Sequence, residues 1–209
     1  MINSLKKVQS LIPVKLAAIC GILSPAIVFI TFVISIYLHP WFVWEEHALS
    51  NLGALGAEKS YALNLGLIFL GITFFLFTMR ADLLVNSKVG LAGARLLPFL
   101  AIGPALVALF PMGTDPHVLM CVIPYSLVSI IMILVGIDYF KSSDHIRGII
   151  TFLLLFVCIV VALLPLLYNI GYFQKLAIIK FPSQSIPELI SAIVLSLWMM
   201  MFVSKMFTI

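Results

Sequence analysis

Six long apolar segments dominate this sequence and restrict it to one class of fold. A helix that crosses a membrane needs about 20 consecutive, mostly apolar residues. Segments of this kind occupy residues 16–38, 61–79, 91–110, 118–138, 148–169 and 187–204. The 209 residues are 63% hydrophobic and 10% charged, whereas a soluble domain is about 25% charged. The sequence therefore predicts an all-α bundle of six transmembrane helices, which forms a single integral membrane domain over residues 1–209.

The first apolar segment has the basic flank of a signal peptide, because Lys6, Lys7 and Lys15 precede it. The apolar core of a signal peptide runs for roughly 7–15 residues and is followed by a cleavage site of small residues. Segment 16–38 is longer than such a core, and no such site follows it. We therefore expect this segment to be retained as the first transmembrane helix.

The basic residues predict the orientation of the bundle, since Lys and Arg are enriched in cytoplasmic loops. With a cytoplasmic N-terminus, the outer segments carry Lys59, Lys175 and Lys180, and the remaining nine of the 12 Lys and Arg residues are cytoplasmic. This bias predicts a multi-pass protein of the cell membrane with both termini in the cytoplasm. The predicted outer face also carries most of the acidic residues and histidines: Glu45, Glu46, Glu58, Asp115, Glu188, His39, His47 and His117.

The centres of the predicted spans lack ionisable residues, which mark proton relays and ion paths in membrane proteins. The charged residues at the ends of the spans lie close to the predicted cytoplasmic boundary, where side chains can reach water. These residues are Arg80, Asp82, Arg95 and Asp138. The pattern argues against a proton-coupled pump.

Proline lies inside four spans and predicts a kink in each: Pro25, Pro104, Pro124 and Pro165.

The predicted loop between the first two spans holds the densest group of polar side chains. If residues 44–52 form a short helix at the membrane interface, helical spacing places His47 beside Asn51 and Glu46 beside Ser50. This outer loop is therefore the first place to look for a functional site.

A second outer loop precedes the fourth span and carries His117, which can approach His47 and Glu46. Two imidazoles and a carboxylate can hold a zinc ion with one open position, and they can equally serve as acid–base groups of a hydrolase. No compact metal-binding motif is present. A metal ion held by His47 and His117 is the one cofactor that these residues suggest. The alternative is that both histidines are ordinary interfacial residues.

Four more polar residues are candidates for ligand binding: Ser50, Asn51, Asn64 and Asp115. Three of them also have a structural interpretation. Asp115 precedes a proline and would cap the fourth helix, and Ser50 and Asn51 would order their loop through side-chain to backbone bonds.

Two further groups of residues have structural interpretations. Ser185 and Glu188 have the spacing of a capping box at the start of the sixth span. The three cysteines, Cys20, Cys121 and Cys158, lie within apolar segments and have no partner at metal-ligand spacing. We interpret them as small buried hydrophobic residues.

Two short motifs resemble a known family. The run ALSNLGA at positions 48–54, followed by NLGL at 64–67 and Gly71, is similar to the Ser-Asp-Leu-Gly-Ala and Asn-x-Gly pattern of domain of unknown function family 998 (DUF998). The run ALFP at 108–111, followed by His117, resembles that family's Phe-Pro…His element. Asn51 stands where an aspartate is usual, and an amide cannot act as a general base. The resemblance implies a prokaryotic six-helix membrane protein and directs attention to Ser50, Asn51, Gly53, Asn64 and His117, but it implies no activity.

Three functions remain open. A structural or accessory subunit of a membrane assembly ranks first, because the chain is small and lacks a soluble domain. Small residues that permit close helix contacts with membrane-protein partners support this interpretation: Gly66, Gly71, Gly90 and Gly93. Binding or hydrolysis of a lipid or small molecule at the outer polar site ranks second, and a facilitator of an uncharged solute third. The lipid bilayer is the expected environment, and no basic patch suggests nucleic acid as a partner.

Overall fold

The computed structural model describes residues 11–169 and 184–208, and these residues form helices and loops without a β-strand among them. The α-helices are α1 (Val14–Leu38), α2 (Tyr61–Thr78), α3 (Lys88–Ala101), α4 (Gly103–Leu109), α5 (His117–Lys141), α6 (His145–Asn169) and α7 (Ser185–Ser204). Short 3-10 helices cover Leu49–Gly53, Ala81–Leu84 and Lys205–Thr208. Within the described residues, six helical segments are long and apolar enough to cross a membrane, and α3 and α4 together form the third. The predicted all-α architecture with six transmembrane helices is confirmed.

The spans form a closed ring in chain order. Helix α2 packs against α1 and against α3 and α4, α5 packs against α3 and α6, and α7 packs against both α6 and α1. We call the face that carries residues 39–60 and 110–116 the loop face. The opposite face, where α1 begins and α7 ends, is the terminal face. The side on which each face lies remains a prediction from the distribution of Lys and Arg.

The third span is broken near its middle. Helix α3 ends at Ala101, and α4 begins at Gly103 with Pro104 in its first turn. Proline lacks a backbone N–H and clashes with the preceding turn, so it starts helices more readily than it continues them. A Cβ atom added to Gly103 would lie 2.8 Å from Cγ of Pro124 in α5. The predicted break at Pro104 is therefore confirmed, and glycine beside it lets α5 approach closely.

The small residues of the spans serve contacts inside the bundle. Gly66 of α2 packs directly on the side chain of Thr31 in α1, and a Cβ atom added to Gly71 would lie 3.2 Å from the carbonyl oxygen of Ala101. Small residues let two helix backbones approach closely, which strengthens their packing in lipid. The glycines that suggested contacts with a partner protein thus bring helices of the same chain together.

The main hydrophobic core lies in the half of the bundle nearer the terminal face. Its largest fully buried side chains include Phe77, Tyr139 and Phe202. A smaller buried cluster of Leu49, Leu52 and Leu63 lies near the loop face. The two clusters leave space between the helices of the loop-face half, and this space contains the candidate site.

Asp138 corrects one expectation from the sequence. Its side chain does not reach water at the membrane boundary but is fully buried in α5. The carboxylate accepts hydrogen bonds from the backbone N–H groups of Asn86, at 3.1 and 3.2 Å, and of Ser87, at 2.6 Å. Asp138 therefore fixes the turn that leads into α3, because a buried carboxylate must have its hydrogen bonds satisfied within the protein.

Candidate functional site

A cavity of about 710 Å³ lies inside the ring of helices. Along α5 its lining begins at His117 and reaches Ser129. This stretch covers about 18 Å at 1.5 Å per residue. At the inner end, the cavity meets Leu100, Val128 and Trp198, which also belong to the main core. The cavity is therefore a deep pocket that ends against packed side chains.

The cavity is apolar along most of its length and polar at the end near the loop face. The side chains at that end include Ser50, Asn64, His117, Gln184 and Glu188. Deeper along the walls the polar groups are hydroxyls, namely those of Ser24, Tyr125, Ser126, Ser129, Ser191 and Ser196. A small set of polar groups at one end of an apolar pocket is the usual design of a small-molecule site.

Glu188 and Ser50 form the central polar contact of this end. The backbone N–H of Ser50 donates to one carboxylate oxygen of Glu188 at 3.2 Å, and the Ser50 hydroxyl donates to the other at 3.0 Å. The contact joins the 3-10 helix Leu49–Gly53 to the first turn of α7. These two hydrogen bonds hold the loop against α7 at the mouth of the cavity.

This contact replaces the capping box that the sequence predicts for Ser185 and Glu188, so that prediction is wrong. The residue that precedes α7 is Gln184, which makes no side-chain cap. The Ser185 hydroxyl donates to the carbonyl oxygen of Trp44 at 2.6 Å. Both side chains thus bond to the loop between α1 and α2, because a packed tertiary partner competes with the backbone N–H groups that a capping box would use.

Glu188 is the one acidic side chain among the described residues that line the cavity, and none of these residues is Lys or Arg. The ion pair found within residues 11–169 and 184–208 joins Arg147 to Asp144, at the terminal face. Among the described residues, no basic side chain therefore lies within ion-pair distance of Glu188. Its support comes from Ser50 and from the N-terminal end of α7, whose dipole favours negative charge.

His117 lies at the start of α5 and is buried, with 4% of its surface exposed. Its Nδ1 lies 2.9 Å from the carbonyl oxygen of Phe110, and its Nε2 lies 3.7 Å from Sγ of Cys121. Because a carbonyl oxygen only accepts, Nδ1 carries a hydrogen and donates it to Phe110. This contact fixes the ring with Nε2 directed at Sγ of Cys121.

Cys121 is a cavity residue that the sequence interpretation missed, since it was taken for an inert buried side chain. It is half-buried and lines the cavity one helical turn after His117. The spacing of four residues between His117 and Cys121 is visible in the sequence and places them on one face of a helix. That spacing alone could have identified the pair.

His47 and Glu46 do not line the cavity. Nδ1 of His47 accepts a hydrogen bond from the backbone N–H of Val43 at 3.1 Å, and its ring packs edge-on against Trp41. Glu46 is exposed. The predicted interfacial helix over residues 44–52 is wrong, because a turn at 44–46 precedes a 3-10 helix that begins only at Leu49. Without an α-helix, the expected pairs His47–Asn51 and Glu46–Ser50 do not form.

The remaining candidates, Asp115, Asn51 and Asn64, do not form a cluster with one another. Asp115 is exposed and makes no cap to α5, so its predicted role as a cap is wrong. The side-chain oxygen of Asn51 accepts from the backbone N–H of Ala48 at 2.7 Å, which orders the loop as predicted. Asn64 lines the cavity and donates from Nδ2 to the carbonyl oxygen of Gly53 at 3.0 Å. Among the seven candidates, Ser50, Asn64 and His117 line the cavity.

A metal centre has no geometric support in the described part of the chain. No group of three or more His, Cys, Asp or Glu side chains within residues 11–169 and 184–208 is arranged to hold a metal ion. A structural zinc site usually has four protein ligands, and a catalytic one usually has three. The metal role of His47 and His117 thus stays a prediction from the sequence.

Residues 22–205 match the model of a family described as "Protein of unknown function (DUF998)". No curated protein and no solved structure matches the chain.

Proposed function

The chain belongs to the DUF998 family of proteins of unknown function, and from its cavity we propose that it binds a lipid-like amphiphile inside the helix bundle. The apolar part of the ligand occupies the deep section of the cavity. The polar part lies among Ser50, His117 and Glu188 at the loop face. The single observation that carries this proposal is the shape of the cavity, which is long, apolar and polar at one end.

The size and lining of the cavity support this assignment. Ligand pockets have volumes of roughly 300–1,000 Å³ and are mostly apolar with a few polar groups, and the volume here is about 710 Å³. The apolar section extends along α7 from Glu188 to Met199, which is about 16 Å at 1.5 Å per residue. That length suits an extended hydrocarbon chain.

The alternatives have less support. A facilitator needs a path across the membrane, whereas this cavity ends against the core residues Leu100, Val128 and Trp198. The accessory-subunit hypothesis depended partly on glycines free for partner contacts, and Gly66 and Gly71 pack within the chain. Hydrolysis would use His117 and Cys121 as base and nucleophile, and such a reaction would still begin with an amphiphile bound in this cavity.

The proposal is tested by filling the cavity. Ser129 lines its deep section, and its hydroxyl donates only to the carbonyl oxygen of Tyr125 in the same helix, at 3.0 Å. Ser129→Trp therefore adds volume to the cavity without breaking a contact between helices. Ile130→Trp is the matched control, because Ile130 follows Ser129 on α5 and is 50% exposed on the outside of the bundle.

The measurement is native mass spectrometry of protein purified in a mild neutral detergent, with extraction and identification of the co-purifying amphiphile. We expect a non-covalent adduct in the wild type and in Ile130→Trp, and its loss in Ser129→Trp. Equal occupancy in the two tryptophan variants, or no adduct after the wild type is incubated with membrane lipid extract, would show that the cavity is not a binding site.

A further inference from the structure

We propose that Cys121 is a nucleophile that takes an acyl group from the amphiphile bound in this cavity, with His117 as its base. The ligand is then a lipid ester, whose carbonyl carbon reacts with Sγ of Cys121. The inference rests on the proposed function, because it adds a reaction to the same cavity. It follows from the contact between the two side chains and from their position along the cavity.

Cys121 and His117 have the arrangement of a thiol with a positioned base. Nε2 of His117 lies 3.7 Å from Sγ of Cys121, and Nδ1 is held by the carbonyl oxygen of Phe110 at 2.9 Å. In a neutral imidazole, a hydrogen on Nδ1 leaves Nε2 as the acceptor. A nucleophile, a base beside it and a third group that orients the base are together the signature of nucleophilic catalysis.

Cys121 differs from the other two cysteines in its surroundings. It is half-buried and lines the cavity, whereas Cys20 is buried in the main core and Cys158 is buried in the cavity wall. An apolar environment keeps a thiol protonated at rest. Cys121 therefore reacts only when a base removes its proton as the new bond forms, and His117 is placed to do so.

The position of the pair along the cavity fits an ester. From Cys121 to Ser129 the lining of α5 continues toward the inner end for about 12 Å at 1.5 Å per residue, which accommodates the hydrocarbon chain of the acyl group. His117 lies one helical turn closer to the loop face, where Ser50 and Asn64 line the polar end. The alcohol half of the ester thus lies on the side of His117.

The reaction begins when the thiol proton moves to Nε2 of His117 and Sγ attacks the carbonyl carbon of the ester. The new C–S bond gives a tetrahedral intermediate, which collapses as the bond to the alcohol oxygen breaks. His117 returns the proton to that oxygen, so the products are a thioester on Cys121 and a free alcohol. Water then attacks the thioester with His117 again as the base, which releases the fatty acid and restores the thiol.

The experiment uses para-nitrophenyl decanoate as the ester and decyl para-nitrophenyl ether as its unreactive analogue. The protein is held in nanodiscs of neutral, ether-linked lipid, so that the probe is the only ester present. Absorbance follows the release of para-nitrophenol, peptide mass spectrometry locates the acyl group, and native mass spectrometry measures binding of the ether. We expect the wild type to bind the ether, to release a burst of para-nitrophenol and to carry the decanoyl group on Cys121.

Three variants test the role of each residue. Cys121→Ala should bind the ether and lose both the burst and the adduct. Cys158→Ala is the matched control and should react like the wild type, because Cys158 also lines the cavity but lies outside the contact with His117. His117→Gln should bind the ether and slow acylation by about 100-fold or more, the usual contribution of a general base. An unchanged rate in His117→Gln, or a loss of ether binding, would contradict its role as the base.

The remaining outcomes separate this inference from the proposed function. If the wild type binds the ether but forms no adduct on Cys121, the inference is wrong and the cavity proposal stands. If the wild type binds neither probe, the proposed function itself fails. If Ser129→Trp is acylated as fast as the wild type, the ester does not react from the cavity and the inference is wrong. If Cys121→Ala does not fold, the peptide map of the wild type decides, because an acyl group on another residue contradicts the assignment.

Discussion

Replacement of Asp138 by asparagine tests whether a buried carboxylate holds the terminal-face end of the bundle together. Asp138 lies fully buried on α5, and its carboxylate accepts from the backbone N–H groups of Asn86 and Ser87. These two residues form the turn before α3. Asparagine has nearly the same shape, so Asp138→Asn removes the charge and one acceptor oxygen without creating a cavity.

The size of the effect follows from these contacts. A hydrogen bond to a charged group contributes about 1.5–3 kcal/mol, and a buried donor left without an acceptor costs a similar amount. The amide of asparagine can keep one of the two backbone donors satisfied and presents its NH₂ group to the other. We therefore expect Asp138→Asn to lower the free energy of unfolding by about 2–3 kcal/mol.

The assay is reversible unfolding in mixed micelles with increasing SDS, followed by tryptophan fluorescence. Asp144→Asn is the matched control, because Asp144 is also acidic and lies at the terminal face, but its side chain is 26% exposed and pairs with Arg147. An exposed ion pair contributes about 0–1 kcal/mol. If Asp138→Asn costs no more than Asp144→Asn, the structural role of the buried carboxylate is refuted.

A second pair of variants tests the same contact from α3. A Cβ atom added to Gly90 would overlap the carboxyl group of Asp138. Gly90→Ala should therefore destabilise the wild type but cost much less in an Asp138→Ala background. Variants of residues that touch are not additive, so equal costs in the two backgrounds would show that the two residues are not in contact.

Three further predictions concern single contacts. Ser50→Ala removes the hydroxyl that donates to Glu188 at 3.0 Å. The variant should lower the free energy of unfolding by about 1–2 kcal/mol, measured in the same SDS assay. An unchanged unfolding midpoint would mean that the contact does not hold the loop. His39→Ala should lower the free energy of unfolding by about 2–4 kcal/mol. The reason is that the buried ring places Nδ1 2.6 Å from the carbonyl oxygen of Ser35 and Nε2 2.7 Å from that of Glu58. A smaller loss of stability than in Ser50→Ala would contradict this prediction. Partial burial opposes ionisation of Asp144, but the hydrogen bond and charge of Arg147 hold the pKa of that carboxyl below its usual value. The pair therefore contributes stability at neutral pH that is lost as the pH falls below about 4, and the difference in Tm between the wild type and Asp144→Asn should shrink on acidification.

The main core near the terminal face and the cavity near the loop face divide the molecule into a densely packed half and a half that contains the cavity. The largest buried side chains, Phe77, Tyr139 and Phe202, lie in the first half. The second half has a smaller buried cluster of Leu49, Leu52 and Leu63 and polar contacts across the ring, such as the one from Ser50 to Glu188. Segments with fewer buried apolar contacts open most easily, so local opening is expected at the loop face.

The sequence by itself determined the helices. The predicted spans 61–79 and 118–138 correspond closely to α2 (Tyr61–Thr78) and α5 (His117–Lys141). Local composition suffices for this, because a helix in lipid satisfies its backbone hydrogen bonds within its own segment.

The tertiary structure alone decided which polar groups meet. Glu188 has a local partner at capping distance in the sequence, yet it accepts from Ser50, 138 residues away. Asp138 was expected at the membrane surface and is buried against the turn at Asn86. A polar side chain in an apolar bundle bonds to whichever donor lies within reach, and hydrogen bonds of similar strength compete for it. The choice between them depends on how the ring of helices closes, which no local pattern in the sequence records.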